Sequence, residues 1–240
     1  MKSIVKTLAN NLGYEIKKIT LLNSSEKRMQ KALLSHNIDI VLDVGANIGQ
    51  YAKSLRKLKY AGKIISFEPL KQPYEELIRI SQNDPLWEIA PRMAIGDKDS
   101  EIEINISANS YSSSIRNILD THIISAPSSS YVGKELVRMA RLDSIGDSFI
   151  NGYESVFLKI DTQGYESNVI EGATNFLNKV KGMQIELSLV PLYEEQVLFS
   201  DLLEKIYSLG YELYDITPVF LDQTSGRMLQ VDGVFFKNDS

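Results

Sequence analysis

The sequence predicts an α/β fold, a mostly parallel sheet with helices on both faces. Three observations predict it. Short apolar runs alternate along the chain with segments of helical period. The run at 38–45 is apolar apart from Asp39 and Asp43 and ends at Gly45, as a strand buried on both faces does. The last two strand-like runs, 211–216 and 229–237, flank a turn at Thr224-Ser225-Gly226, so a closing hairpin brings one antiparallel strand into the sheet.

The elements follow in order. Residues 1–35 carry no strand signal and read as one or two helices packed outside the sheet, a helical extension to a domain at 36–240. After the strand at 38–45, residues 48–59 place Ile48, Tyr51, Ala52, Leu55 and Leu58 on one helix face. Residues 63–67 form the second strand, and 73–82 a helix ended by Asn83-Asp84-Pro85. Residues 87–95 predict a third strand, bent or at an edge because of Pro91. Residues 101–107 alternate polar and apolar, the pattern of a strand with one wet face. The Ser-rich stretch 108–131 reads as a loop or lid with a short helix near 115–119, and 143–150 as another short helix. A central strand at 155–161 precedes a helix over 165–179, with Gly182 just past its end. A strand at 183–189 and a helix over 194–209, stopped by Gly210, lead to the closing hairpin.

Composition narrows the function classes. The net charge is −5 and no run of Lys or Arg stands out, which argues against a nucleic-acid partner. The sequence has no Cys, so disulfides, thiolate metal sites and a Cys nucleophile are excluded. No apolar run approaches the ~20 residues that span a bilayer, and the N-terminus lacks the apolar core of a signal peptide. A soluble, cytoplasmic protein without a membrane partner is expected.

The sharpest motif is Asp43-Val44-Gly45-Ala46-Asn47-Ile48-Gly49-Gln50, where a strand turns into a helix. Ligands of such sheets bind beyond the carboxyl ends of the strands. Gly45 and Gly49 permit a tight turn and close approach of a ligand to the backbone. Their spacing is not the Gly-x-Gly-x-x-Gly of dinucleotide sites. Glu68, followed by Pro69, ends the second strand, where a carboxylate accepts hydrogen bonds from ribose hydroxyls. Asp43 is placed to receive the ammonium of an amino-acid moiety. Jointly these favour S-adenosylmethionine, an adenosyl ligand with an amino-acid tail and no pyrophosphate. Taken singly, Asp43 reads equally as turn chemistry and Glu68 as a charge favourable to a helix dipole.

The chain resembles the FkbM-type methyltransferases. The resemblance covers about 38–237 and rests on DVGANIGQ (43–50), FEP (67–69), AIGD (94–97), SSSI (112–115), RLDSI (141–145) and LKIDTQGYE (158–166). Gln163 departs from the Glu found in many members. The resemblance implies a Rossmann-like class I methyltransferase fold, a seven-stranded, mostly parallel sheet whose last strand is antiparallel. It implies S-adenosylmethionine as donor, with Asp43, Gly45, Asn47, Glu68 and Ala94 contacting it, and methylation of an oxygen on a sugar or secondary metabolite.

An alcohol is a weak nucleophile, so a general base is expected near the strand ends. Asp161 has the position for it. Lys159 shares its strand face and predicts an ion pair with Asp161 or Glu166, or an acceptor-orienting role, and Glu166 opens the next helix. A purely structural role for Lys159 and Glu166 is the competing reading. His122, in the Ser-rich stretch, is a second candidate base or a solvated loop residue; His36 is expected at the surface. Tyr111 and Tyr131 are candidates to stack on a sugar ring. Asp161 with Glu186 could hold Mg²⁺, but no metal is expected. The acceptor is then a small molecule or saccharide, and a homo-oligomer stays open. The rival readings are an NAD-dependent oxidoreductase or epimerase on a similar sheet, and a catalytically silent ligand-binding module.

Overall fold

The computed structural model describes residues 2–238. Its main sheet contains β1 (Ile40–Val44), β2 (Lys63–Phe67), β3 (Trp87–Ile89), β7 (Val156–Ile160), β8 (Val180–Ser188), β9 (Tyr211–Leu221) and β10 (Met228–Lys237). The order is β3-β2-β1-β7-β8-β10-β9, seven strands with β10 antiparallel to both neighbours. A second, three-stranded sheet joins β4 (Ala94–Ile95), β5 (Ser100–Ser107) and β6 (Tyr131–Ala140) in the order β4-β6-β5. The helices are α1 (Lys2–Asn11), α2 (Ser25–Ser35), α3 (Gln50–Lys57), α4 (Lys71–Ser81), α5 (Asp120–Ser125), α6 (Leu142–Ile145), α7 (Glu166–Glu171) and α8 (Phe199–Ser208).

The two sheet faces bury two cores. Strands β1 and β7 are buried at every position, which is why both read as near-continuous apolar runs. On one face Leu42, Val44, Leu158 and Ile160 pack with Val169, Ile170, Phe176 and Leu202. On the other, Val41, Phe157, Val234 and Phe236 meet Ala32 and Leu33 of α2, Ala52 and Leu55 of α3, and Leu77 of α4. Ser24 caps α2 by accepting from the Lys27 amide at 3.2 Å. His36 is not a free surface residue: its ring stacks on Phe236 at a centroid distance of 3.8 Å.

Several expected boundaries differ, each for a local reason. The strand expected over 87–95 is two strands in two sheets, because Pro91 interrupts pairing and Ala94–Ile95 leaves to join β6. The helix expected over 165–179 ends at Glu171. The next residue, Gly172, lies so close to a neighbouring loop that a Cβ would stand 1.8 Å from the carbonyl oxygen of Gly96. Asp143 then takes the amides of Asn175 and Phe176 at 2.9 and 2.8 Å and starts a separate 3₁₀ turn. Gly182 lies inside β8, against Phe236, rather than past a helix end. The helix expected from 194 starts at Phe199, since Gln196 engages the Leu192 amide and the Ser188 hydroxyl with its side chain. The short helix expected near 115–119 is an extended segment bridged to Tyr193, and the helix lies at Asp120–Ser125.

Among the described residues, no helix is long and apolar enough to cross a membrane.

Candidate active site

Strand register sets polar side chains in a row across the buried sheet. Ser66, Asp43, Lys159 and Gln184 are successive partners across β2, β1, β7 and β8. One step towards the carboxyl ends, Glu186 of β8 faces Asp232 of β10. Such groups are costly to bury unless paired, and here they are. Lys159 Nζ lies 3.4 Å from Asp43 Oδ1 and 3.3 Å from Asp161 Oδ2, and donates to the Gly45 carbonyl at 3.2 Å. Burial pulls the Lys159 ammonium down, but the Asp161 and Asp43 carboxylates outweigh it and hold its pKa above the ordinary value.

A cavity of about 480 Å³ opens over this row, well inside the range of small-molecule sites. Its walls join two kinds of residue. Gly45, Asn47, Glu68, Pro69 and Ala94 line it with the apolar Phe67, Leu70, Met93 and Ile104, as do the polar Lys159, Asp161, Gln163, Gln184, Glu186 and Asp232. Gly45 is required at its position: its φ is +78° and a Cβ would stand 1.8 Å from the Asp161 carbonyl oxygen. Glu68 is 4% exposed, accepting from the Asn47 amide at 2.8 Å and the Leu70 amide at 2.9 Å. Burial raises its pKa to about 7 in spite of those two amides.

Three expected site residues lie outside the cavity wall. Asp43 is fully buried and faces Lys159, with Ser66 Oγ donating to it at 3.3 Å; an internal cation stands where an ammonium ligand was expected. Gly49, at φ +76°, caps α3 and lets Trp87 and Leu77 pack within contact distance. Glu166 turns back on its own loop and accepts from the amides of Thr162 at 2.9 Å and Gly164 at 3.0 Å, so it fixes the turn that carries Asp161. Both Asp161 oxygens have partners, Lys159 at Oδ2 and the Gln163 amide at Oδ1, 2.7 Å away. Gln163 Nε2 also reaches Glu186 at 3.1 Å, and its Oε1 accepts from Tyr193 at 2.8 Å.

The Ser-rich stretch is an ordered cover. Asn105 and Ser114 form a bridge, Asn109 binds Ser112 and Ser129, and the Asn47 side chain donates to the Ser110 carbonyl at 3.1 Å. Ser110, Tyr111, Ser113, Ser114 and Ile115 face the cavity. Tyr131 does not; its hydroxyl donates to the Arg116 carbonyl at 2.6 Å. His122 is 3% exposed, edge-on to Tyr193 and outside the cavity wall, and burial lowers its pKa to about 4. It is a packed, neutral ring and neither the base nor the solvated residue expected.

Sequence reasoning missed Arg116. Its guanidinium donates to the carbonyls of Gly164 at 2.7 Å and Glu194 at 3.0 Å and to Asn168 Oδ1 at 3.0 Å, tying the cover to α7 and to the loop before α8. Replacing Arg116 with Ala is expected to cost about 2–3 kcal/mol and to speed protease cleavage within 108–131. Limited proteolysis followed by mass mapping, beside a thermal melt, checks it; cleavage unchanged at that stretch contradicts it.

Among the described residues, no group of three or more His, Cys, Asp or Glu is placed to hold a metal ion.

The sequence model of the methyltransferase FkbM domain matches residues 43–213, well over half of the chain and the whole of the cavity's β1–β8 wall. This chain belongs to the FkbM methyltransferase family. Its seven-stranded sheet with antiparallel β10 is the Rossmann-like class I methyltransferase fold. No curated relative matches this FkbM-family chain. Solved structures similar to it include Streptococcus pneumoniae Sp1610 in complex with S-adenosyl-L-methionine, 10% identical with TM-score 0.47, covering 89% of this chain and 73% of that one. TehB from Haemophilus influenzae is 11% identical with TM-score 0.47, covering 90% and 63%. A Listeria monocytogenes protein described as an S-adenosylmethionine dependent methyltransferase is 9% identical with TM-score 0.48, covering 89% and 98%. These are distant likenesses.

Proposed function

We propose that this chain transfers the methyl group of S-adenosylmethionine to a hydroxyl oxygen of a small-molecule or saccharide acceptor. The observation that carries this reading is one cavity joining a glycine turn and a buried carboxylate, Glu68, to the polar residues around Asp161. Bound there, the donor would supply an electrophilic methyl carbon. Glu68 suits the ribose hydroxyls, because a carboxylate whose burial two amides do not offset gains from further donors. Leu70, Met93, Ala94 and Ile104 offer an apolar slot for the purine. The acceptor belongs at the Glu186–Asp232 pair, whose carboxylates disfavour phosphorylated or nucleic-acid acceptors and suit neutral polyols. The proposal keeps 36–240 as the methyltransferase domain, 1–35 as an extension and the cytoplasm as the place of action.

The test is incubation with methyl-labelled S-adenosylmethionine and a panel of monosaccharides and hydroxylated extracts. Label moving to a hydroxyl compound is expected; label that moves to no acceptor, or to RNA, rejects the reading.

Cofactor affinity should depend on pH. Ribose hydroxyls donate to ionised Glu68, so binding favours the deprotonated group, while in the free protein Glu68 takes up a proton as pH falls through about 7. S-adenosylhomocysteine should therefore bind more weakly below about pH 7, approaching tenfold per pH unit. Calorimetry across that range checks it, and Glu68→Gln should flatten the profile.

A further inference from the structure

We infer that Glu186 is the proton acceptor for the acceptor hydroxyl, with Asp232 opposite it as a positioning carboxylate. The inference rests on the methyl-transfer reading above and names the residue that reading leaves open.

The geometry singles out this pair. Glu186 and Asp232 are direct register partners across antiparallel β8 and β10, so their side chains stand on one face of the sheet at cross-strand spacing. Both line the cavity. Two amides hold Glu186 Oε2, Gln230 Nε2 at 2.6 Å and Gln163 Nε2 at 3.1 Å. Glu186 Oε1 takes no hydrogen bond from a described residue. Asp232 is built the same way: Gln184 Nε2 holds its Oδ2 at 2.8 Å and its Oδ1 is left open among the described residues. Asp161 lacks this feature, since Lys159 and Gln163 each engage one of its oxygens. Three glutamine amides thus aim two carboxylates while leaving one oxygen of each for a ligand.

The surroundings make the pair basic. Burial comes first, then the facing charges of Asp161, Glu166 and Asp232, and together they push Glu186 well above the usual carboxylate range against the pull of Lys159. Burial and Asp161 push Asp232 up to about 6. The other titratable groups turned this way are Tyr51 on α3 and Tyr193 in the loop before α8. In the reaction's balance the acceptor exchanges its O–H bond for O–CH₃, the sulfonium leaves as a neutral thioether, and one proton is released. Glu186 in its ionised form takes that proton and passes it to solvent.

The test uses the full-length protein labelled with ¹³C at its Glu and Asp carboxyls, titrated by NMR without ligand. Several carboxyls are expected to titrate above the ordinary range, Glu68 and Glu166 at about 7 and Asp232 at about 6, and one further raised signal belongs to Glu186. That signal should vanish in Glu186→Gln and persist, displaced to lower pH, in Asp161→Asn and Asp232→Asn, each of which removes a neighbouring negative charge. On any monosaccharide that accepts label, Glu186→Gln should lower kcat by about 10²–10⁴-fold with S-adenosylhomocysteine affinity unchanged. A titration in which Glu186→Gln removes no raised signal, or wild-type turnover by that variant, overturns the inference. Should the wild type bind no S-adenosylhomocysteine and move no label, the methyl-transfer reading fails instead, and the titration still decides whether Glu186 holds the proton.

Discussion

Replacing Gly45 with alanine is expected to cost about 3–5 kcal/mol and to abolish cofactor binding, because two penalties fall on one residue. Its φ of +78° is strained for any L side chain, and the added carbon would stand 1.8 Å from the backbone oxygen of Asp161, which no rotamer change can move. The Gly45 carbonyl also accepts from Lys159, so a shifted turn disturbs the polar row. Gly226 is the control. Its φ is +72° and a Cβ there meets nothing within 4 Å, so Gly226→Ala should cost only about 1–2 kcal/mol and leave binding intact. Thermal melts and calorimetry on both variants check this, and equal losses at the two positions would contradict it.

Lys159→Met is the second large expected effect. Asp43 is fully buried, and Lys159 is the cation beside it, 3.4 Å away. Removing one member of a buried pair leaves the other uncompensated, a loss of about 3–5 kcal/mol and on the order of 10 °C in Tm for a domain this size. Burial already raises the Asp43 pKa with the lysine present, and removing the lysine should push it higher still. The variant should therefore be less destabilised in mildly acidic buffer, where protonating Asp43 no longer opposes folding. Asp43→Asn combined with Lys159→Met should recover most of the loss, giving a coupling free energy well above the scatter of independent sites. A double variant as unstable as the sum of the singles would show that the pair is not coupled.

The parallel half of the fold was legible because burial on both faces writes itself into composition. β1, β2 and β7 are apolar runs within two residues of their expected bounds, and the Gly226 turn marked the hairpin that carries antiparallel β10. What escaped was non-local. β6 reads as a mixed stretch, with Lys134, Glu135 and Arg138 beside Val132 and Leu136 exposed, and it is a strand because β5 pairs along it. Helix ends were overrun where a tertiary contact, not a local breaker, stops the helix: Gly172 sits against Gly96, and Asp143 takes the next amides.

The candidate site divides similarly. Gly45, Asn47, Glu68, Lys159 and Asp161 sit at strand ends in short motifs, and position alone brought them to the cavity. Asp43 and Glu166 share those motifs but serve the row and the turn behind the cavity, a distinction that depends on side-chain direction. Gln184, Glu186 and Asp232 carried a usable signal, polar residues inside otherwise apolar strands. Their convergence on one face depends on β8–β10 register, which sequence spacing does not display.

In the proposed function, Glu68 holds the ribose of an adenosyl ligand in the cavity. Calorimetry with S-adenosylhomocysteine on the wild type and on Glu68→Ala tests it most directly. The wild type should bind with one site per chain, and the variant, still folded by thermal melt, should bind about 10–100-fold more weakly. A wild type that gives no heat with this ligand but binds NAD, or a variant with undiminished affinity, would contradict it.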